Sequence, residues 1–186
     1  GSASIMQGFG VGAGYTNVNN QLIILGSYDL IARTVDSLPY MNVEYITKGR
    51  FKTRNIYRNS PIVVEYDWLD PMAYYQLFRC EVQTDGSLKV TTYEENDHFE
   101  YITQYGEELH TSLFRARIWP TDMMMSPGQH IYFRFRSKES LTDEFSSRLQ
   151  LNFLAEQSTV LGIQLVGETP QRDREFIDKL SDIYLL

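Results

Sequence analysis

Hydrophobic positions along this chain fall into stretches of period two, broken by a few stretches of helical period. The clearest juncture lies near the end. Leu161, Ile163 and Leu165 alternate with Gly162, Gln164 and Val166, as in a half-buried strand. Gly167 interrupts the alternation. Thr169 then stands where a helix cap belongs, and Pro170 takes the first helical position, where a missing N–H costs nothing. Phe176, Ile177, Leu180, Ile183 and Tyr184 form one apolar stripe. No glycine or proline ends that helix, and the apolar pattern runs on into Leu185 and Leu186, so the chain reads as a piece of a longer protein.

Upstream, residues 3–7 are apolar enough for a short strand, and Gly8, Gly10, Gly12 and Gly14 punctuate a mobile loop. The run GFGVGAG lacks the Lys-Ser/Thr that a phosphate loop requires. Asn17 is placed to cap a helix over residues 18–38, with Val18, Leu22, Leu25, Ile31, Val35 and Leu38 on its buried side. Ile23, Ile24 and Leu30 widen that apolar face. A helix of this kind is covered on more than one side or packs on a neighbouring subunit. Gly26 inside it costs up to about 1 kcal/mol against alanine, which close approach of another element would justify. Pro39 ends the pattern.

The segments MNVEYIT and RFKTRNIY, separated by Gly49, read as a strand followed by a second strand or irregular segment. Ser60-Pro61 marks a boundary, after which strands dominate. Ile62, Val64 and Tyr66 alternate, and residues 74–82 alternate with Phe78, Cys80 and Val82 on one side. Asp85-Gly86 signals a tight hairpin of type I′ returning through Leu88, Val90 and Thr92. Residues 94–110 are acidic and polar. Phe114, Ala116 and Ile118 predict another strand, residues 119–128 a loop, and Ile131, Phe133 and Phe135 a further strand. Helical spacing returns at Leu141, Phe145 and Leu149, and Leu149, Leu151 and Phe153 begin a strand. This order predicts an α+β fold: a mixed α/β base domain (residues 1–60 plus 130–186) with an inserted antiparallel β-rich module (residues 61–129).

Composition narrows the function classes. A net charge of −7 over 186 residues disfavours a general nucleic-acid binder, which needs a basic surface. The single cysteine, Cys80, can form no internal disulfide and reads as a buried core thiol. No apolar run reaches the ~20 residues that cross a bilayer. His98, His110 and His130 lack metal-pair spacing, and no HExxH, CxxC or GxSxG occurs. Glu94, Glu95, Asp97 and Glu100 read as a solvated charge run before they read as a glycosidase pair. Met123, Met124 and Met125 form either an adaptable contact surface or a buried loop. Trp68, Tyr74 and Tyr75, beside Asp67 and Asp70, could stack on a sugar ring, although packing at a strand end is the ordinary use of such residues. No constellation supports a catalytic, cofactor or metal assignment, so the segment reads as non-enzymatic.

Two separated sets of residues resemble one family. Leu25, Ser27, Leu30, Ile31, Val35 and Leu38 match a helix of the Wzz-type chain-length determinant proteins, or polysaccharide co-polymerases. The match continues through Gly49, Lys52-Thr53, Tyr57 and Ser60-Pro61-Ile62, and resumes at Ile163, Leu165, Pro170, Phe176, Ile177, Leu180 and Tyr184. Ile23 departs from the family, which places a polar or acidic residue there. Residues 63–129 resemble the β-rich insert of longer members fused to a cytoplasmic tyrosine autokinase; no Walker motif occurs in this segment.

The resemblance implies a Wzz-type α/β base layer in the periplasmic portion of an inner-membrane protein. Such proteins form homo-oligomeric rings. They work with a polysaccharide polymerase or export machinery to set the length of O-antigen (lipopolysaccharide), capsule or exopolysaccharide chains. On that reading Leu22, Ile23 and Ile24 are candidate subunit contacts. The alternatives are an extracytoplasmic carbohydrate-binding module gripping glycan through Trp68, Tyr74 and Tyr75, a two-carboxylate glycan hydrolase, and a domain that binds a protein partner only.

Overall fold

A computed structural model describes residues 1–10, 15–94, 98–153 and 160–186, and they form an α+β protein. The chain divides into two compact units. Unit 1 is discontinuous, joining Gly1–Asn42 to Ser137–Leu186, and unit 2 is the continuous segment Val43–Arg136. In chain order, unit 1 begins with β1 (Ala3–Gly10), α1 (Tyr15–Leu25) and α2 (Tyr28–Asp36). Unit 2 follows with β2 (Val43–Lys48), β3 (Thr53–Asn55), β4 (Ile62–Leu69), β5 (Phe78–Val82) and β6 (Leu88–Thr92). It continues through β7 (Glu100–Thr103), β8 (Glu108–His110), β9 (Phe114–Pro120) and β10 (His130–Phe135). Unit 1 is completed by α3 (Lys138–Arg148), β11 (Gln150–Phe153), β12 (Val160–Gly167) and α4 (Pro170–Tyr184).

The division therefore falls at Asn42/Val43 and Arg136/Ser137, not after residues 60 and 129. Strand pairing is the reason: β2 lies between β3 and β10 in one sheet, so all three belong with the strand-rich unit.

In unit 1, β12 is the central strand of an antiparallel sheet, with β1 on one side and β11 on the other. Leu161, Ile163 and Leu165 are fully buried, as their alternation predicts. Helix α4 packs on β1 and β12, and α2 packs on α3 and α4. Phe176, Ile177 and Leu180 fill the core, while Ile183 and Tyr184 are half-buried at the end of the stripe. Pro170 opens α4 as expected, but Thr169 does not cap it through its hydroxyl. Its backbone sits at φ −122° and ψ 75°, and its carbonyl accepts from the Asp173 N–H at 3.1 Å.

The single helix expected over residues 18–38 is instead two. Ser27 adopts an extended ψ of 141° and its hydroxyl accepts from the Leu30 N–H at 3.3 Å, capping α2. A serine that caps competes with the helical backbone it interrupts. Asn17 lies inside α1, which begins at Tyr15, and so is not its cap. The anticipated close approach at Gly26 is present: a Cβ there would lie 3.1 Å from the Leu151 side chain.

Charge closes the corner between α3, β12 and α4. The Asp173 side chain is 1% exposed and accepts from Arg148 Nη2 at 2.5 Å. Arg148 also reaches Glu144 at 3.1 Å, and Arg172, itself nearly buried, donates to Glu144 at 2.7 Å. The Phe145 and Phe176 rings stack at 3.9 Å, with the Arg172 guanidinium 4.7 Å from the Phe145 ring centre. A Cβ on Gly167 would run into the Arg148 guanidinium and come within 2.8 Å of the Asp173 carboxylate, so a larger residue there would displace the ion pair.

Unit 2 is built from two antiparallel sheets, ordered β3-β2-β10-β5-β6-β7 and β4-β9-β8. Their inner faces share an aromatic core. Phe78 contacts Phe99, Phe114, Phe133 and Phe135 with ring centres 5.1–5.7 Å apart. The Tyr45 hydroxyl accepts from the Val64 N–H at 2.8 Å, tying β2 to β4. Glu44, 4% exposed, is held by Arg134 at 2.6 Å and Arg136 at 2.5 Å.

Two local expectations need correction in unit 2, and one polar stretch proves to hold strands. Asp85-Gly86 does mark the β5–β6 hairpin, but only Gly86 has a positive φ (+86°). The Gly86 N–H bonds to Gln83 O, and Gln83 pairs with Ser87, so the loop has three residues rather than the two of a type I′ turn. Residues 71–75 form a 3₁₀ turn capped by Asp70, and the strand predicted from residue 74 starts at Phe78. The polar stretch 94–110 contains β7 and β8, whose flanking and central residues Phe99 and Leu109 are buried.

Candidate functional site

The outer face of the β4-β9-β8 sheet gathers the most chemistry. Along β9, Phe114, Ala116 and Ile118 point inward and are buried, which leaves Arg115, Arg117 and Trp119 on the outside. Register then sets the rows across the sheet. Arg115 lies between Trp68 of β4 and His110 of β8, Arg117 lies between Glu65 and Glu108, and Trp119 lies opposite Val63. The register of β4 shifts between Tyr66 and Trp68. Such a bulge re-aims side chains. Here Tyr66 packs inward on Phe135 at 5.1 Å, while Asp67 and Trp68 are both exposed.

The face is internally braced. Asp67 accepts from Arg115 Nε at 2.7 Å, and this bond holds the Asp67 carboxyl below the usual carboxylate range and the Arg115 guanidinium above its own. Arg117 donates to the Gly106 carbonyl at 2.6 Å and stands 3.8 Å from Glu108. Trp68 meets the His110 ring edge-to-face at 6.1 Å and is 40% exposed. Trp119 rests on Gly106, where a Cβ would lie 3.0 Å from the indole, and is 41% exposed. Gly106 also has φ +79°, a conformation that favours glycine. In the rows between the two tryptophans lies a depression of about 170 Å³, lined by Glu65, Tyr66, Asp67, Glu108, Arg115, Ala116 and Arg117.

Of the three residues expected to contact glycan, only Trp68 belongs to this face. Tyr74 and Tyr75 sit on the 3₁₀ turn at residues 71–75, 38% and 79% exposed, and no ring contact among the described residues joins them to Trp68. Sequence reasoning missed Trp119, which it assigned to a loop. The outward phase of Arg115 and Arg117 on β9 was the available signal.

The second surface is on α1. Leu25 is fully buried and Leu22 half-buried, whereas Ile23 is 70% and Ile24 46% exposed. The three candidate contact residues thus divide into one that helps anchor the helix and two that face outward.

The remaining candidates stand apart. Cys80 is fully buried, and burial pushes its thiol up to about 12. The ordinary value of His130 is lowered by burial and by the neighbouring Arg79. Glu100 lies 3.8 Å from Lys89, Glu94 is exposed, and Glu95 and Asp97 lie outside the described residues. Met123 and Met124 are exposed. Among the described residues no group of three or more His, Cys, Asp or Glu is arranged to hold a metal, and no helix is long and apolar enough to cross a membrane. No protein-family model matches the chain, and no curated protein matches it in sequence.

Proposed function

We propose that this chain is the periplasmic part of an inner-membrane polysaccharide co-polymerase of the Wzz type. It acts as a non-enzymatic scaffold that self-assembles and sets the length, or supports the export, of O-antigen, capsule or exopolysaccharide. Unit 1 is the Wzz-type base layer and unit 2 the inserted β-module. Of the residues that carry the family resemblance, the helical ones occupy framework positions in unit 1, while Gly49, Lys52, Thr53, Tyr57, Ser60, Pro61 and Ile62 fall in unit 2. Ser27 caps α2, Leu30, Ile31 and Val35 are buried, Pro170 opens α4, and Phe176, Ile177 and Leu180 fill the core.

The observation that carries the reading is the exposed pair Ile23–Ile24 on a helix anchored by Leu25. Covering what is still exposed of each isoleucine would contribute roughly 1–2 kcal/mol, and a neighbouring copy provides such cover. The test compares cells lacking the gene, cells given it back, and cells given the Ile23→Asp/Ile24→Asp variant. Deletion is expected to shift the modal length of surface polysaccharide. The variant is expected to reproduce that shift and lose cross-linked oligomers, with the thermal unfolding of the purified chain unchanged. An unaltered length profile on deletion would overturn the co-polymerase reading. A variant that assembles and regulates normally would remove α1 as the subunit contact.

A further inference from the structure

We infer that the outer face of the β4-β9-β8 sheet binds a linear, uncharged, hydroxyl-rich glycan across Trp68 and Trp119. The inference concerns unit 2 alone and stands independently of assembly through α1. Three features of the face lead to this ligand.

The first is the placement of the rings. Both tryptophans of the chain lie on this one face, at opposite ends of it. Trp68 is level with Arg115 and so four residues from Trp119 along β9, a span of about 14 Å at strand rise. Indole faces are apolar platforms that cover the C–H faces of sugar rings. Each ring is already held, Trp119 on Gly106 and Trp68 against His110, so little order has to be gained on binding.

The second is the floor. The depression between the rings presents planar carboxylates and guanidiniums, which accept and donate the paired hydrogen bonds that vicinal hydroxyls offer.

The third is charge. Glu65, Asp67 and Glu108 face Arg115 and Arg117. Arg115 is engaged by Asp67, and Arg117 by the Gly106 carbonyl and Glu108. The face therefore has no surplus positive charge for an anionic polymer, and a chain of net charge −7 repels one further. A neutral glycan matches this surface, whereas a nucleic acid or a uronic-acid polymer does not.

The test is an array of linear hexasaccharides, neutral (gluco-, galacto-, manno- and rhamno-configured) and uronic-acid-containing, probed with the labelled protein. Hits are titrated by calorimetry. Saturable binding to at least one neutral hexasaccharide is expected, weakened tenfold or more in Trp119→Ala and in Trp68→Ala. Trp119→Phe should keep most of the affinity, and Tyr75→Ala all of it. Circular dichroism of each variant keeps folding separate from binding. The inference is overturned if no neutral hexasaccharide binds, if only uronic-acid chains bind, or if folded tryptophan variants bind like the wild type. Polysaccharide length control through α1 would be untouched by any of these outcomes.

Discussion

At the centre of the α3–β12–α4 corner of unit 1 lies a carboxylate, Asp173, 1% exposed; the centre of unit 2 is Phe78, fully buried among four other phenylalanines. The two cores hold by different physics. The corner in unit 1 is directional. Removing ions from water costs several kcal/mol each, so the network holds only while Arg148, Arg172 and Glu144 keep their places. Unit 2 relies on volume and ring contact, which are less particular about direction but leave no room for a missing atom. The contrast teaches where charge is placed as well as how it is used. Unit 1 draws ionic groups into a corner of its core. Unit 2 packs its inner faces with rings, keeps a single buried carboxylate, Glu44, between Arg134 and Arg136 among the ion pairs described, and spreads other carboxylates, guanidiniums and both tryptophans over an outer face.

The two units also report themselves separately. The four α-helices among the described residues belong to unit 1, and both tryptophans belong to unit 2. Helical circular dichroism therefore follows one unit and tryptophan fluorescence the other. The harshest test of the contrast is Phe78→Ala. Deleting a fully buried phenylalanine is expected to cost about 3–5 kcal/mol, read as an early tryptophan transition. Helical signal lost in the same step would show that the units unfold as one and that the distinction is only architectural.

Arg148→Ala is the converse. It leaves Asp173 without its cation, and the buried-pair penalty, discounted because Arg148 is a quarter exposed, comes to about 2–3 kcal/mol. Here the helical transition should move first and the tryptophan transition lag. A neutral outcome would mean that the network contributes order to the corner but little stability.

The mildest test sharpens the picture of unit 2. The Cys80 thiol is raised from 9.0 to about 12 by burial. Between those values the unfolded chain gives up a proton that the folded chain keeps. The associated stability is thus fully present below pH 9.0 and is lost as the pH rises towards about 12. At pH 8 a thiol reagent should fail to label the native protein and react on unfolding. Prompt native labelling would show that the aromatic core opens.

Much of this was legible beforehand because it is local. Alternation placed β5, β6, β9, β10 and β12, the helical stripe of Phe176, Ile177 and Leu180 was read correctly, and Cys80 was recognised as a core thiol. Some misses are local, such as the Ser27 cap that splits the expected helix and the Asp70 cap of the 3₁₀ turn; the others share one cause, which is partners distant in sequence. Arg172 and Asp173 look like the solvent side of an amphipathic helix until Glu144 and Arg148 arrive from α3. Strands β7 and β8 hide in polar sequence because their burial comes from pairing with β6 and β9. The tryptophan face needed a bulge at Asp67 and a glycine seat at Gly106, neither of which leaves a hydrophobic pattern.

Chain connectivity gives the discontinuity of unit 1 a meaning in time. Unit 2 occupies one uninterrupted stretch, so a ribosome finishes it while the opening segment Gly1–Asn42 still lacks Ser137–Leu186. Strand β1 cannot pair with β12 until residues 160–167 have been made. The two ends of unit 2 are neighbours, however, since Val43 is registered with Phe135. Once unit 2 has folded, Asn42 and Ser137 emerge side by side. The long excursion between the halves of unit 1 then behaves as a short connection, lowering the entropic cost of closing it. The insert, completed first, serves as a clasp that holds the waiting half of its neighbour ready for the rest.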